Sequence, residues 1–297
     1  MTPNILVIGE TGQLARALKF EGRRQDLPLL FSDRGAVNLS EPARMLQEAL
    51  ETYDQLGGII LAAAYTDVEG AETDGKTAHA VNGVAPGIIA KFCKKKNIPF
   101  VHVSTDYVFD GRGHSPYRPA DSTSPINAYG RSKEAGEAEV VSLGANAAIL
   151  RTSWVYDAAG KNFLTAMLNL AKSKDAISVV SDQIGRPTFA PHLANACLTA
   201  MSNLQNESLN EPQIFHVTDV GVPISWADFA EAIFEDARQF LQQVPTVMPI
   251  LSADYPTTAM RPFYSVLDTQ EFEKKFSTTL PTWRDGMKKA VREFFEK

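Results

Sequence analysis

Tyr129 and Lys133 stand four residues apart in the stretch SPINAYGRSKEAGE. At that spacing two side chains share one face of a helix. A free phenol ionises near ~10 and is a poor acid–base group at neutral pH. A neighbouring ammonium favours the phenolate and lowers that value. A shift of ~3 units requires about 4 kcal/mol of differential stabilisation. The pair therefore has the chemistry of a tuned proton donor, although an isolated Tyr and Lys at this spacing is an ordinary helix-surface pair. The stretch VSTDYVFDG adds hydroxyl groups about 24 residues upstream, where Thr105 could hold a substrate carbonyl and position Tyr129.

A second constellation lies near the N-terminus. The run NILVIG leads directly into GETGQLARAL, with Gly9, Gly12 and Ala15 in G-x-x-G-x-x-[GA] order. A tight strand-to-helix turn of small residues lets a pyrophosphate reach the backbone amides at a helix N-terminus. The plain alternative is a glycine turn that only packs the helix. The second strand ends in FSDRG. Asp33 there suits adenosine ribose hydroxyls and NADH, whereas Arg34 suits a 2′-phosphate and NADPH. The balance leans to NADPH, with NADH also usable.

These groups need a scaffold that brings strand ends together. Apolar runs at 4–9, 27–33, 57–64, 99–105 and 147–153 read as strands, with helical patterns between them. Near-continuous apolar strands joined by helices predict a parallel sheet covered on both faces. The fold class is α/β: a doubly wound, Rossmann-like parallel sheet with a smaller C-terminal substrate-binding α/β unit. Residues 1–150 form the expected dinucleotide-binding domain, with segments near 187–220 returning to it, and 151–297 are mainly substrate-binding. Ser40 and Ser225 are the expected N-caps of their helices, with Pro42 in the first turn of the former.

Composition excludes several classes. The chain has 297 residues and a net charge of −6, so no basic field attracts nucleic acid. Lys94, Lys95 and Lys96 read as a solvated helix end. No apolar run approaches the length of a membrane span, and no signal-peptide pattern opens the chain. Cys93 and Cys197 read as buried free thiols, which suits a reducing, cytoplasmic setting. The five histidines show no metal spacing, and no metal is expected.

The motifs AAAYTDVEGAE, STDYVFDG, SPINAYGRSKEAGE, LRTSWVYDAAGKNF, VVSDQIGRPT and TTAMRPFYSVLDTQEF together resemble the dTDP-4-dehydrorhamnose reductases, an extended branch of the short-chain dehydrogenase/reductase superfamily. The resemblance runs from residue 4 to about 290. It implies reduction of the C4 keto group of dTDP-6-deoxy-L-lyxo-4-hexulose to dTDP-L-rhamnose, with hydride from the nicotinamide. Tyr129 would be the proton donor, Lys133 would bind the ribose and lower the Tyr129 pKa, and Thr105 would assist. Gly9, Thr11, Gly12, Gln13 and Leu14 would meet the cofactor pyrophosphate. Ala63, Ala64, Tyr65 and Thr66 would line the nicotinamide side. Asn38 and Leu39 stand where the family often has an acidic residue and then Leu or Phe near the adenine. Thr105, Asp106, Tyr107 and Trp154 would touch the nucleotide sugar, and Gln183 and Arg186 lie on that side. Asn82 would support the active-site backbone. The sequence leaves a homodimer open. Two other readings compete: another nucleotide-sugar reductase or epimerase of the same branch, and a non-catalytic NADP-binding regulatory subunit.

Overall fold

The structure is a computed structural model and describes residues 3–296. The first half alternates strand and helix: β1 (Asn4–Ile8), α1 (Gln13–Arg24), β2 (Leu29–Ser32), α2 (Ala43–Glu51), β3 (Leu56–Leu61), α3 (Val68–Thr73), α4 (Gly75–His79), α5 (Ala85–Lys96), β4 (Phe100–Thr105), α6 (Ala128–Ser142) and β5 (Ala147–Thr152). The second half is looser: β6 (Val155–Tyr156), α7 (Phe163–Leu170), β7 (Ala176–Val180), β8 (Ile184–Gly185), β9 (Thr188–Phe189), α8 (Ala190–Asn206), β10 (Gln213–His216), β11 (Ile224–Ser225), α9 (Trp226–Ala237), β12 (Thr246–Ile250), α10 (Gln270–Lys275) and α11 (Trp283–Phe295).

Among the described residues the central sheet has six strands in the order β10-β5-β4-β3-β1-β2, with every neighbour parallel. Strand alternation explains its two covered faces. Ile5, Val7, Ile60, Val101 and Leu150 point to a core shared with α1 and α8. Leu6, Ile8, Ile59, Phe100 and Ile149 point to an opposite core shared with α2 and α5. With both side-chain sets apolar, neither face tolerates water, and helices must cover each. A third core, built around Tyr156, Leu164, Phe229, Trp283 and Met287, holds α7, α9 and α11 together.

The order reverses between β1 and β3. In doubly wound sheets a ligand crevice opens at the carboxyl ends of strands beside such a reversal. The third strand stops at Leu61 rather than running through residue 64. Ala62 and Ala63 both donate their N–H to the Ile8 carbonyl, at 3.0 and 2.8 Å, and swing the chain out over the crevice. Ser225 caps α9 in a reciprocal pairing with Asp228. Ser40 does not cap α2: Pro42 stands at that position. The Ser40 hydroxyl instead donates to Asn38 Oδ1 at 2.8 Å, a local bond that competes with capping.

Candidate functional site

The turn between β1 and α1 opens the site. Gly9 has φ 117°, and a Cβ there would stand 3.1 Å from the Ala63 amide nitrogen. Gly12 is the N-cap of α1, and a side chain there would meet no protein atom within 4 Å. That space belongs to a cavity of about 1130 Å³. Its lining gathers Gly9, Thr11, Gly12, Gln13 and Leu14 from the turn, and Asp33, Arg34, Asn38 and Leu39 from beyond β2. Ala63, Ala64, Tyr65 and Thr66 join from the loop after β3, and Tyr129 and Lys133 from α6. The exposed amides of a helix start, an open approach and this volume fit a dinucleotide.

The wall also contains residues that sequence reasoning missed. Thr152 ends β5, and Val155, Gly160 and Lys161 come from the segment after it. Arg16 ties that segment to the glycine turn: its guanidinium donates to Thr11 O at 2.6 Å, Ala159 O at 3.0 Å and Asp157 Oδ2 at 3.2 Å. A cation in the first turn of α1 was the signal available for Arg16. The loop 157–161 has no periodicity that would have flagged it.

At the far end of the cavity the two candidates for cofactor choice behave differently. Asp33 closes its own turn, accepting the Ala36 N–H on Oδ1 at 2.8 Å and the Val37 N–H on its carbonyl at 3.0 Å. Arg34 stays exposed, with one guanidinium nitrogen 3.5 Å from Ser40 Oγ. Thus one carboxylate oxygen is already engaged by backbone, while a planar cation and a hydroxyl stand together.

Thr105 ends β4 and caps the short 3-10 turn Asp106–Val108, accepting the Tyr107 N–H at 3.2 Å. Its hydroxyl donates to Asp106 Oδ1 at 3.0 Å. Asn127 caps α6, accepting the Gly130 N–H at 2.7 Å, so the helix carrying Tyr129 and Lys133 begins at a fixed point. The Tyr107 and Tyr129 rings meet edge to face with centroids 5.7 Å apart. The structure therefore brings Thr105, Asp106, Tyr107 and Tyr129 into one group beside the cavity.

Burial raises the Tyr129 phenol to about 12; the Thr105 hydroxyl acts downward and the Asp106 charge upward. The lowering influence on the phenol comes from the Thr105 hydroxyl. The Lys133 ammonium donates to the Val103 carbonyl at 2.7 Å. Burial lowers Lys133 itself to about 8, with Glu137 acting upward. Asp106 is raised to about 7 by burial, against the pull of Ser265 and Thr105. Its Oδ2 is buried with no hydrogen-bond partner among the described residues.

Asn82 sits in a π-helical turn, Ala80–Val84, between α4 and α5. Its amide accepts the Tyr65 N–H at 2.9 Å and donates to Tyr65 O at 2.9 Å and Ser132 Oγ at 3.0 Å. One side chain thus fixes the Tyr65 loop against α6. Trp154 lies outside the cavity lining. It adopts φ 47° and stacks on Trp226, centroids 3.5 Å apart and 9° between planes. Both indoles are half-buried. Arg186 is spent on carbonyls, donating to Gly221 O at 3.0 Å and Leu267 O at 3.1 Å. Gln183 donates to Ser252 Oγ at 2.9 Å. No group of three or more His, Cys, Asp or Glu among the described residues is placed to hold a metal ion.

Comparison with known proteins follows the same lines. A family model, the RmlD substrate binding domain, matches residues 3–295. A dTDP-4-dehydrorhamnose reductase of Burkholderia thailandensis is 39% identical over 303 residues, covering 97% of this chain and 98% of that protein. The Escherichia coli K12 protein of the same name is 35% identical and covers 98% of each. A dTDP-4-dehydrorhamnose reductase from Bacillus anthracis, solved in complex with NADP, superposes with a TM-score of 0.88 at 30% identity over 100% of both chains. With the glycine turn, the Tyr–Lys helix and similarity along nearly its whole length, the chain belongs to the dTDP-4-dehydrorhamnose reductase family.

Proposed function

We propose that this chain reduces the C4 keto group of dTDP-6-deoxy-L-lyxo-4-hexulose with NADPH, giving dTDP-L-rhamnose. The observation that carries the reading is one cavity whose wall runs from the glycine turn to Tyr129 and Lys133. When bound there, the nicotinamide supplies the hydride. The amides at the start of α1 would hold the pyrophosphate, and Arg34 with Ser40 would take a 2′-phosphate. Ala63, Ala64, Tyr65 and Thr66 would flank the nicotinamide, with Asn82 holding their loop in place.

Negative charge develops on the C4 oxygen as hydride arrives, so donors aimed at that oxygen matter most in the transition state. Tyr129 is the proton donor. Its phenol is protonated at neutral pH, the form that reduction consumes, and bound cofactor and substrate would have to bring its raised pKa back down. Thr105 would hold the same oxygen. Lys133 would hold the ribose as an ammonium. Asp106, with an unpartnered oxygen beside Thr105, would accept a sugar hydroxyl. Trp154, stacked on Trp226, would present an apolar face to the deoxysugar. The buried thiols Cys93 and Cys197 support a cytoplasmic setting. No described helix is long and apolar enough to cross a membrane.

The test is NADPH oxidation with the dTDP-keto sugar, with the product identified by NMR. Turnover to dTDP-L-rhamnose is expected. Cofactor binding without turnover would instead mark a regulatory subunit.

A further inference from the structure

Trp154 holds a backbone conformation that bulky residues rarely adopt: its φ of 47° lies in the left-handed region. Such a conformation persists only where the surroundings over-determine it. Backbone bonds supply part of the restraint. The Trp154 carbonyl accepts the Thr188 N–H at 3.2 Å, and the preceding Ser153 hydroxyl donates to Arg186 O at 2.7 Å. Gly185 leaves room for the indole, because a Cβ there would stand 2.6 Å from Trp154 Cε2. The Trp226 ring then lies flat on the Trp154 ring, with centroids 3.5 Å apart. Aromatic pairs left to themselves prefer offset or edge-to-face arrangements. A face-to-face stack is therefore imposed by the elements that carry the two rings. Thr152 and Val155, on either side of Trp154 in the chain, belong to the cavity wall, so the strained residue stands beside that wall.

We propose that Trp226 is a positioning residue: it backs the Trp154 indole, holds it in its strained setting beside the cavity, and so sets the affinity for the nucleotide sugar. The inference deepens the reading above and rests on the sugar contact given there to Trp154. Trp226 is itself fixed from several directions. It is the first residue of α9, directly after the N-cap Ser225, which pairs reciprocally with Asp228. β11 runs antiparallel to β8 with Ile224 opposite Gly185, so the start of α9 is registered to the glycine that admits Trp154. Phe163 packs on the Trp226 ring with centroids 4.6 Å apart. Phe163 likewise opens its helix, α7, after the N-cap Asn162, whose amide donates to Gln13 Oε1 at 2.9 Å. A line of contacts thus runs from the glycine turn through the starts of α7 and α9 to Trp154. Trp226 also borders the core shared by α7, α9 and α11, but an aliphatic side chain fills that place as well. Alignment within 9° of a second ring is what only a flat side chain supplies.

The experiment compares steady-state constants for the dTDP-keto sugar at saturating NADPH, and the calorimetric Kd for dTDP-L-rhamnose, which needs no turnover. Trp226→Ala should raise both the KM and that Kd about tenfold, the scale of one lost aromatic contact, while kcat and the Kd for NADPH stay within about twofold. Trp226→Phe, which keeps a flat ring, should restore most of the affinity. Trp226→Leu, which keeps apolar bulk without a flat ring, should not, and it carries the test if Trp226→Ala does not fold. Wild-type affinity in the Leu variant marks a merely structural residue and overturns the proposal. An affinity that rises in either variant shows that the stack covers the face the sugar needs, and overturns it too. Trp154→Ala separates the proposal from the reading beneath it. If that variant binds the sugar as the wild type does, the contact given to Trp154 fails and the proposal with it. If it weakens binding while the Trp226 variants do not, the backing role alone fails.

Discussion

Asp106 is held in the site at a cost in stability. Its carboxyl is raised to about 7 by burial, and one oxygen has no partner among the described residues. Against an ordinary value near ~3.9, folding opposes ionisation by up to about 4 kcal/mol. Because the folded value is the higher one, this stability is fully present below pH ~4 and is lost as pH rises through about 7. Asp106→Asn should therefore stabilise the protein near pH 8, in urea unfolding, with the gain vanishing near pH 4. A gain that is equal at both pH values, or a loss near pH 8, would contradict the burial explanation. A side chain kept at such a cost fits a ligand contact, since strain and unmet hydrogen bonds gather at functional sites. The sequence pointed to Tyr129, Lys133 and Thr105 because their spacing is local. It could not show how far burial raises the phenol. Nor did it reveal Glu137 with Arg151, an ion pair formed only when α6 packs across β4 and β5.

At the scale of elements, the loop after β3 depends on the π-helical turn. Asn82 makes three hydrogen bonds from a site that is 1% exposed, two to Tyr65 and one to Ser132. Asn82→Ala should cost on the order of 2 kcal/mol and raise the KM for NADPH more than it lowers kcat. An unchanged KM would show that the Tyr65 loop holds its place without Asn82. The sequence pattern displayed the strands plainly, because β1, β3, β4 and β5 bury both faces and so read as unbroken apolar runs. Strand ends were harder to place. Residues 62–64 look as apolar as the strand, yet the amides of Ala62 and Ala63 turn back to Ile8. Ser40 has the right chemistry for a helix cap, but the nearer Asn38 side chain takes its hydroxyl.

Across the whole molecule, the cavity lies between the sheet and the segment after β5, and Arg16 joins the two by hydrogen bonds from α1. Gln13 adds a second link, accepting from Asn162 at 2.9 Å. A cofactor bound there touches both sides and binds only the folded chain. At a concentration of about 100 times Kd it should add about 2.7 kcal/mol of stability, measured as a rise in Tm. NADPH should raise Tm more than NADH at equal concentration, and Arg34→Ala should erase that difference. Equal shifts in the wild type would remove the 2′-phosphate role of Arg34.

The donation of a proton by Tyr129 is the claim on which the mechanism turns, and removing one oxygen tests it. Tyr129→Phe keeps the ring that packs on Tyr107. In a single-turnover assay with the dTDP-keto sugar, the rate should fall by about 100-fold or more, while the Kd for NADPH stays within about threefold. A variant that reduces the sugar at close to the wild-type rate would show that the proton comes from elsewhere.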